Sequence, residues 1–203
     1  MCAPVQVQPE LPAQKIERFL AEYSIPQADA EILTAEKDLA EFFEQVIGEV
    51  KAKLQAKEII SAQEKAVKLA TNYIITEVRK HLSEHDHNVR DLKFTPENYA
   101  ELVGIVADGK INSSAAQTVL QEMYRTGADP SHIIAEKNLG QMEDEGEVEK
   151  IIEKVIMDNA KSAEDYKSGK QNALQFLVGQ VMKESKGKAN PGKAMEMLKN
   201  KLK

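Results

Sequence analysis

At 203 residues the chain is long enough for one large domain or two small ones, each with a core of its own, and its net charge is −6. Aromatic residues make up 5% and tryptophan is absent, against 42% hydrophobic and 30% charged residues, a balance that favours packed helices. Cys2 is the single cysteine, which excludes an intrachain disulfide and a cysteine-built metal site, and no apolar run approaches the roughly 18 residues of a membrane span.

The chain opens on MCAPVQVQPELP, which lacks the basic and apolar regions of a secretory signal and reads as a lead-in over residues 1–10. A cytoplasmic location is expected. Phe19, Leu20 and Tyr23 then line one face of a short helix. Next, TAEKDLAEFFEQVIGEVKAKL carries Leu39, Phe42, Phe43 and Val46 at helical spacing, with Thr34 as its expected N-cap. A third helix is expected in SAQEKAVKLATNYIITEVRKHL, its stripe formed by Ala66, Leu69, Ala70, Tyr73 and Ile74.

The polar stretch SEHDHNVRDLKFTPENY breaks this pattern and ends in a start signal, Thr95 followed by Pro96. A domain boundary is placed near residue 93, giving a helical domain over 11–93 and a tail domain over 94–203. In the tail, Tyr99, Leu102, Val103 and Val106 form a stripe that stops at DGKINSS. Ala116, Val119, Leu120 and Met123 form another, stopping at RTGADP, where Gly127 suits a C-terminal cap. Asp129 and Pro130 start a short helix. Val148, Ile151, Ile152, Val155 and Ile156 make the cleanest stripe. The stretch SAEDYKSGKQNALQFLVGQVMKES places Leu174, Leu177, Val178, Val181 and Met182 on one face, and Asn190 with Pro191 opens a last helix bearing Met195, Leu198 and Leu202. The expected fold is all-α, a small helical domain followed by a multi-helix tail.

Catalytic signatures are sparse. HLSEHDH sets His81 and His85 four apart with Asp86 and His87 beside them, but consecutive residues at a helix end seldom converge on a metal, so a solvated helix end is expected. No phosphate loop of either common glycine pattern occurs. The acids of MEDEGEVEK precede an apolar stripe, where carboxylates favour a helix N-terminus. Asn112 in NSS reads as an ordinary N-cap.

Charge is more informative. Residues 129–174 carry eleven acidic and six basic side chains, whereas residues 175–203 carry two acids, Glu184 and Glu196, and seven lysines. Lys183 and Lys186 are expected in the last turn of one helix, with Gly187 taking the positive φ that ends it. Lys188 stands in the turn. Asn190 and Pro191 start the next helix, whose third position is Lys193 rather than an acid, so its backbone N–H groups are available to a phosphate. Two readings stay open: an anion cradle, and lysines that only complement a helix dipole. Without interleaved aromatics, any nucleic acid would be recognised by backbone and shape rather than by stacking.

GQVMKESKGKANPGKAMEMLKNKL resembles the C-terminal end of the B subunit of the glutamyl-tRNA(Gln)/aspartyl-tRNA(Asn) amidotransferase. DGKINSSAAQTVLQEMYRTGADPSHIIAEKNLGQMEDEGEVEKIIEKVI and NAKSAEDYKSGKQNALQFLVGQVM resemble it too, and upstream EYSIPQADAEILTAEKDLAEFFEQV and LATNYIITEV fit the helical domain of the same family. The resemblance covers about residues 9–203 and implies a C-terminal piece with a YqeY-like tail, lacking the domain that uses ATP and Mg. No catalytic residue, metal or cofactor carries over to this stretch. What it does imply is a tail that holds the body of tRNA(Gln) or tRNA(Asn), in an enzyme completed by its A and C subunits. The residues expected to grip tRNA are Lys183, Lys186, Gly187, Lys188, Asn190 and Lys193, with Lys110 in the DGK turn. A protein-docking module contacting the other subunits is the alternative.

Overall fold

The computed structural model describes residues 10–141 and 145–202, and every regular element among them is helical. Residues 1–9 of the lead-in and the start of the MEDEGEVEK acid run, residues 142–144, lie outside the described residues. The chain divides into two compact units. One comprises residues up to Asp108 with Leu120–Pro130; the other comprises Gly109–Val119 with the residues from Ser131 onward.

The first unit is built from α1 (Pro12–Tyr23), α2 (Gln27–Thr34), α3 (Lys37–Gln55), α4 (Gln63–Tyr73), α5 (Arg79–Glu84) and α6 (Pro96–Ala107), with the end of α7 (Ser113–Thr126). Alternation at three and four residues puts Leu39, Phe42, Phe43, Val46, Ile47 and Val50 on the buried side of α3. Phe43 meets Phe19 at 5.3 Å and Tyr23 at 5.2 Å between ring centroids, the second pair edge-on. Full burial of each such side chain stabilises the unit by about 1.5–3 kcal/mol. Tyr99 of α6 is also fully buried, and its hydroxyl donates to the Ala70 carbonyl at 3.2 Å, so its polar end is satisfied inside the core.

Two local features differ from expectation. Thr34 is not the N-cap of α3; it ends α2, its hydroxyl donating to the Ala30 carbonyl at 2.8 Å, and the α3 cap position is Glu36. A Thr hydroxyl can bond back to its own preceding turn, and here that local bond wins. Between α4 and α5 the helix also widens into a π turn over Ile74–Val78, an insertion that side-chain periodicity does not report. Thr95 and Pro96 do start α6: Asn98 N–H donates to Thr95 Oγ1 at 3.2 Å, and Thr95 N–H donates to Asn98 Oδ1 at 3.3 Å. Gly127, at φ 76°, follows α7, and its N–H donates to the Met123 carbonyl at 2.7 Å.

The second unit contains the start of α7, α8 (Pro130–Glu136) from Ser131 onward, α9 (Glu145–Asp158), α10 (Ala160–Lys167), α11 (Gln171–Glu184) and α12 (Pro191–Lys201). α11 is central and packs against α9, α10 and α12. Its Leu177 and Val181 are fully buried among Val148, Ile152 and Val155 of α9 and Leu198 of α12. Ala189 and Ala194 are fully buried where the chain turns from α11 into α12. Small side chains there let the second helix fold back closely on the first. Ser168 and Gly169 lie between α10 and α11, and Leu174, Leu177, Val178 and Val181 are buried on α11.

No helix among the described residues is long and apolar enough to cross a membrane.

Candidate nucleic-acid interface

The turn from α11 to α12 is built almost wholly from its own hydrogen bonds. α11 ends at Glu184 with Lys183 in its last turn. Lys186 lies beyond the helix end rather than inside it, because the backbone turns left-handed one residue earlier than expected: Lys186 has φ 53° and Gly187 φ 78°. The two residues close the helix through Lys186 N–H to the Lys183 carbonyl at 3.1 Å and Gly187 N–H to the Met182 carbonyl at 2.7 Å. Ser185 is buried and serves the turn twice: its hydroxyl donates to the Met182 carbonyl and accepts from Ala189 N–H, both at 3.2 Å. The result is a hydrogen-bonded turn at which Lys183 and Lys186 are exposed and Lys188 half-exposed.

The start of α12 differs from the expected anion cradle. Asn190 Oδ1 accepts from Gly192 N–H at 2.9 Å and from Lys193 N–H at 3.1 Å. The donors expected to be available are therefore taken by the Asn190 side chain itself. Asn190 is a structural cap, and a phosphate at this turn would meet lysine ammonium groups rather than that pair of N–H groups.

The turn that carries Lys110 is bonded to the α11–α12 turn through its neighbours. Asn112 caps α7, accepting from Ala115 N–H at 2.9 Å, while its side-chain NH2 donates to the Gly187 carbonyl. Gln141 adds a second link: its N–H donates to the Lys110 carbonyl at 2.8 Å, and its Oε1 accepts from Asn190 Nδ2 at 3.5 Å. These contacts hold the Asp-Gly-Lys turn, the α11–α12 turn and the α12 start together. Sequence reasoning found the lysines but not Asn112, Gln141 or Ser185 as the ties between them. The cap signal at Asn112 is local, and nothing in it announces a partner 75 positions away.

Neighbouring acids are engaged elsewhere. Glu184 accepts from Lys154 Nζ at 2.7 Å, which holds its carboxyl below the usual range, and Lys201 pairs with Glu149 and Glu153 at 2.7 and 2.6 Å. Lys183, Lys186 and Lys188 form no ion pair within 4.0 Å among the described residues. These are three cations in and beside one turn without a carboxylate closing on them among the described residues, an arrangement that in general attracts polyanions.

The histidines lie at an exposed helix end and gather around Tyr124, and no group of three or more His, Cys, Asp or Glu among the described residues is placed to hold a metal ion.

Residues 55–202 match the protein family described as the GatB domain. The chain belongs to that family. Its match takes in all seven residues expected to grip nucleic acid and begins at Gln55, the last residue of α3. Similarity to individual proteins extends further toward the N-terminus. The chain is 40% identical over 194 residues to the aspartyl/glutamyl-tRNA(Asn/Gln) amidotransferase B subunit of Caldanaerobacter subterraneus subsp. tengcongensis, covering 96% of this chain and 38% of that protein. It is 42% identical over 183 residues to the protein of the same name from Thermotoga maritima, covering 90% of this chain and 35% of that protein. For Clostridium botulinum the figures are 40% over 183 residues, 90% and 36%. The chain thus spans less than two-fifths of the length of these relatives.

Proposed function

We propose that this GatB-family chain is a tRNA-holding, non-catalytic part of the B subunit of an aspartyl/glutamyl-tRNA(Asn/Gln) amidotransferase. The observation that carries the reading is the ordered α11–α12 turn, which displays Lys183, Lys186 and Lys188 clear of carboxylate partners among the described residues, with the turn that carries Lys110 bonded to it through its neighbours. Lysines so arranged bind a phosphate backbone by releasing its condensed counterions, without reading base sequence. No aromatic side chain belongs to this turn, in keeping with recognition of tRNA shape.

In the whole enzyme such a grip is a positioning device. Holding the body of tRNA(Gln) or tRNA(Asn) brings the aminoacylated end to a reactive centre elsewhere, and the gain is in effective molarity. ATP- and Mg-dependent activation, and the ammonia supply and contacts provided by the A and C subunits, are properties of that larger assembly, which this reading places in the cytoplasm. The test is a titration of fluorescently labelled tRNA(Gln) with the chain and with a variant carrying Glu at Lys186 and Lys188. Binding to the parent and its loss in the charge-reversed variant support the reading; equal binding by both removes the turn from it.

A second reading has its own observation. Met157 and Phe176 are 73% and 48% exposed in the second unit, large apolar side chains of the kind that anchor protein partners. A docking role for these side chains predicts association with the other subunits that is insensitive to salt and abolished by Phe176→Ser.

A further inference from the structure

The loop after α5 makes a second site of a different kind. Asp86 adopts φ 53°, and this left-handed residue folds His87 back so that its N–H donates to the Leu82 carbonyl at 2.9 Å. The reversal gathers three imidazoles around one phenol. His81 stacks on Tyr124 with ring centroids 5.1 Å apart, His85 lies 5.3 Å from Tyr124, and His87 lies 5.8 Å from His85. Together with Lys93 and Arg125, and with Gln121 and the carboxylates Glu84 and Asp91, they line a cavity of about 310 Å³, inside the range of small-ligand sites.

The hydrogen bonds fix what the rings offer. A carbonyl only accepts, so Tyr124 Oη donates its single proton to the His81 carbonyl at 3.2 Å. The 2.7 Å contact between His87 Nδ1 and Tyr124 Oη must then have the imidazole as donor. His85 Nδ1, 2.8 Å from the same His81 carbonyl, is likewise a donor. In both rings Nδ1 carries the proton, and Nε2 is left as an acceptor on a flat face. Burial, with a smaller contribution from the Asp91 charge, pushes the Tyr124 phenol above its usual range and keeps it a donor.

We propose that this cavity binds a nucleotide, with its base against the imidazole and phenol rings and its phosphate toward Lys93 and Arg125. Flat heteroaromatic faces stack on bases of any identity, and unpaired Nε2 atoms accept from exocyclic amino groups. Lys93 Nζ donates to the Arg125 carbonyl at 2.7 Å, and both residues line the cavity. Arg125 pairs with Glu122 through Nη2 and keeps further N–H donors for an oxygen anion. A free mononucleotide and an unstacked nucleotide of an RNA strand share this chemistry. The site is independent of the lysine turn.

The test is NMR titration of the whole chain with AMP, adenosine, ribose 5-phosphate and a single-stranded hexa-adenylate. The expected result is that AMP moves the ring signals of His81, His85, His87 and Tyr124, more strongly than ribose 5-phosphate does. His85→Ala with His87→Ala, both at exposed positions, should weaken AMP roughly tenfold or more while the thermal midpoint holds. Lys93→Ala should weaken AMP but leave adenosine unchanged, a readout that survives should the histidine variant misfold. Binding of hexa-adenylate as tight as that of AMP identifies the strand as a source; binding of AMP alone identifies the free nucleotide. Equal response to ribose 5-phosphate and AMP, or no ring shift at millimolar AMP, overturns the proposal.

Discussion

The side-chain amide of Asn112 donates to the main-chain carbonyl of Gly187 and so fastens the start of α7 to the turn that carries the lysines. The same residue accepts from Ala115 N–H, so its two functions can be separated by mutation. Asn112→Asp keeps an oxygen for the cap but sets it against the Gly187 carbonyl. It should cost about 1–3 kcal/mol. Asn112→Ala removes both functions and should cost about 1 kcal/mol for the cap alone, plus the lost tie. Chemical denaturation of the three proteins checks the pair. If Asp is as stable as Asn, the tie contributes nothing.

The two left-handed residues of the turn predict different responses. Gly187→Ala forces a Cβ into φ 78° and should destabilise the unit by about 1–2 kcal/mol. Lys186 already bears that strain at φ 53°, so Lys186→Gly exchanges relief of strain for a floppier unfolded chain. Its stability should stay within about 0.5 kcal/mol of the parent. Its tRNA affinity should fall, because a cation is lost. A stable Lys186→Gly variant with unchanged tRNA binding would take Lys186 out of the grip.

Glu184 provides a pH test. Its carboxyl is held below the ordinary value of 4.5, first by the hydrogen bond from Lys154 and then by that ammonium's charge. A depressed carboxylate contributes its stabilisation above the unfolded-state value and loses it as pH falls through the folded one. The contribution is therefore in place at neutral pH and disappears only in acid. Lys154→Met should return the Glu184 titration toward 4.5, followed by side-chain carboxyl NMR. It should also weaken tRNA binding, since the released carboxylate can turn to Lys183. A Glu184 titration unmoved by the substitution would show that the pair does not form in solution.

Helices and their buried faces were legible in the sequence wherever an apolar stripe ran uninterrupted. Leu39, Phe42, Phe43 and Val46, or Leu174, Leu177 and Val181, are buried as their spacing demands. Punctuation was legible where the side chain acts locally, as at Thr95, Pro96 and Gly127. It failed at Thr34, where two local hydrogen bonds competed, and at the π turn, where the buried positions Ala70, Ile74, Val78 and Leu82 recur every fourth residue as they would in an ordinary helix. At the site the charges could be read directly, but their support could not. The self-capping of Asn190 is a local bond that reading Lys193 as a non-acidic third position overlooked, whereas the ties made by Asn112 and Gln141 depend on contacts between segments far apart in the chain. The histidine cluster was missed for the same reason: Tyr124, which organises it, lies 37 positions from His87.

The most direct measurement is the salt dependence of tRNA binding by the parent chain and by a variant with Lys183, Lys186 and Lys188 all changed to Ala. Each phosphate contact contributes about 0.7–0.9 to the slope of log affinity against log salt concentration. The variant should bind more weakly, with a slope lower by about 2–3 and an unchanged unfolding transition. An identical slope and affinity in the folded variant would contradict a lysine-turn grip on tRNA.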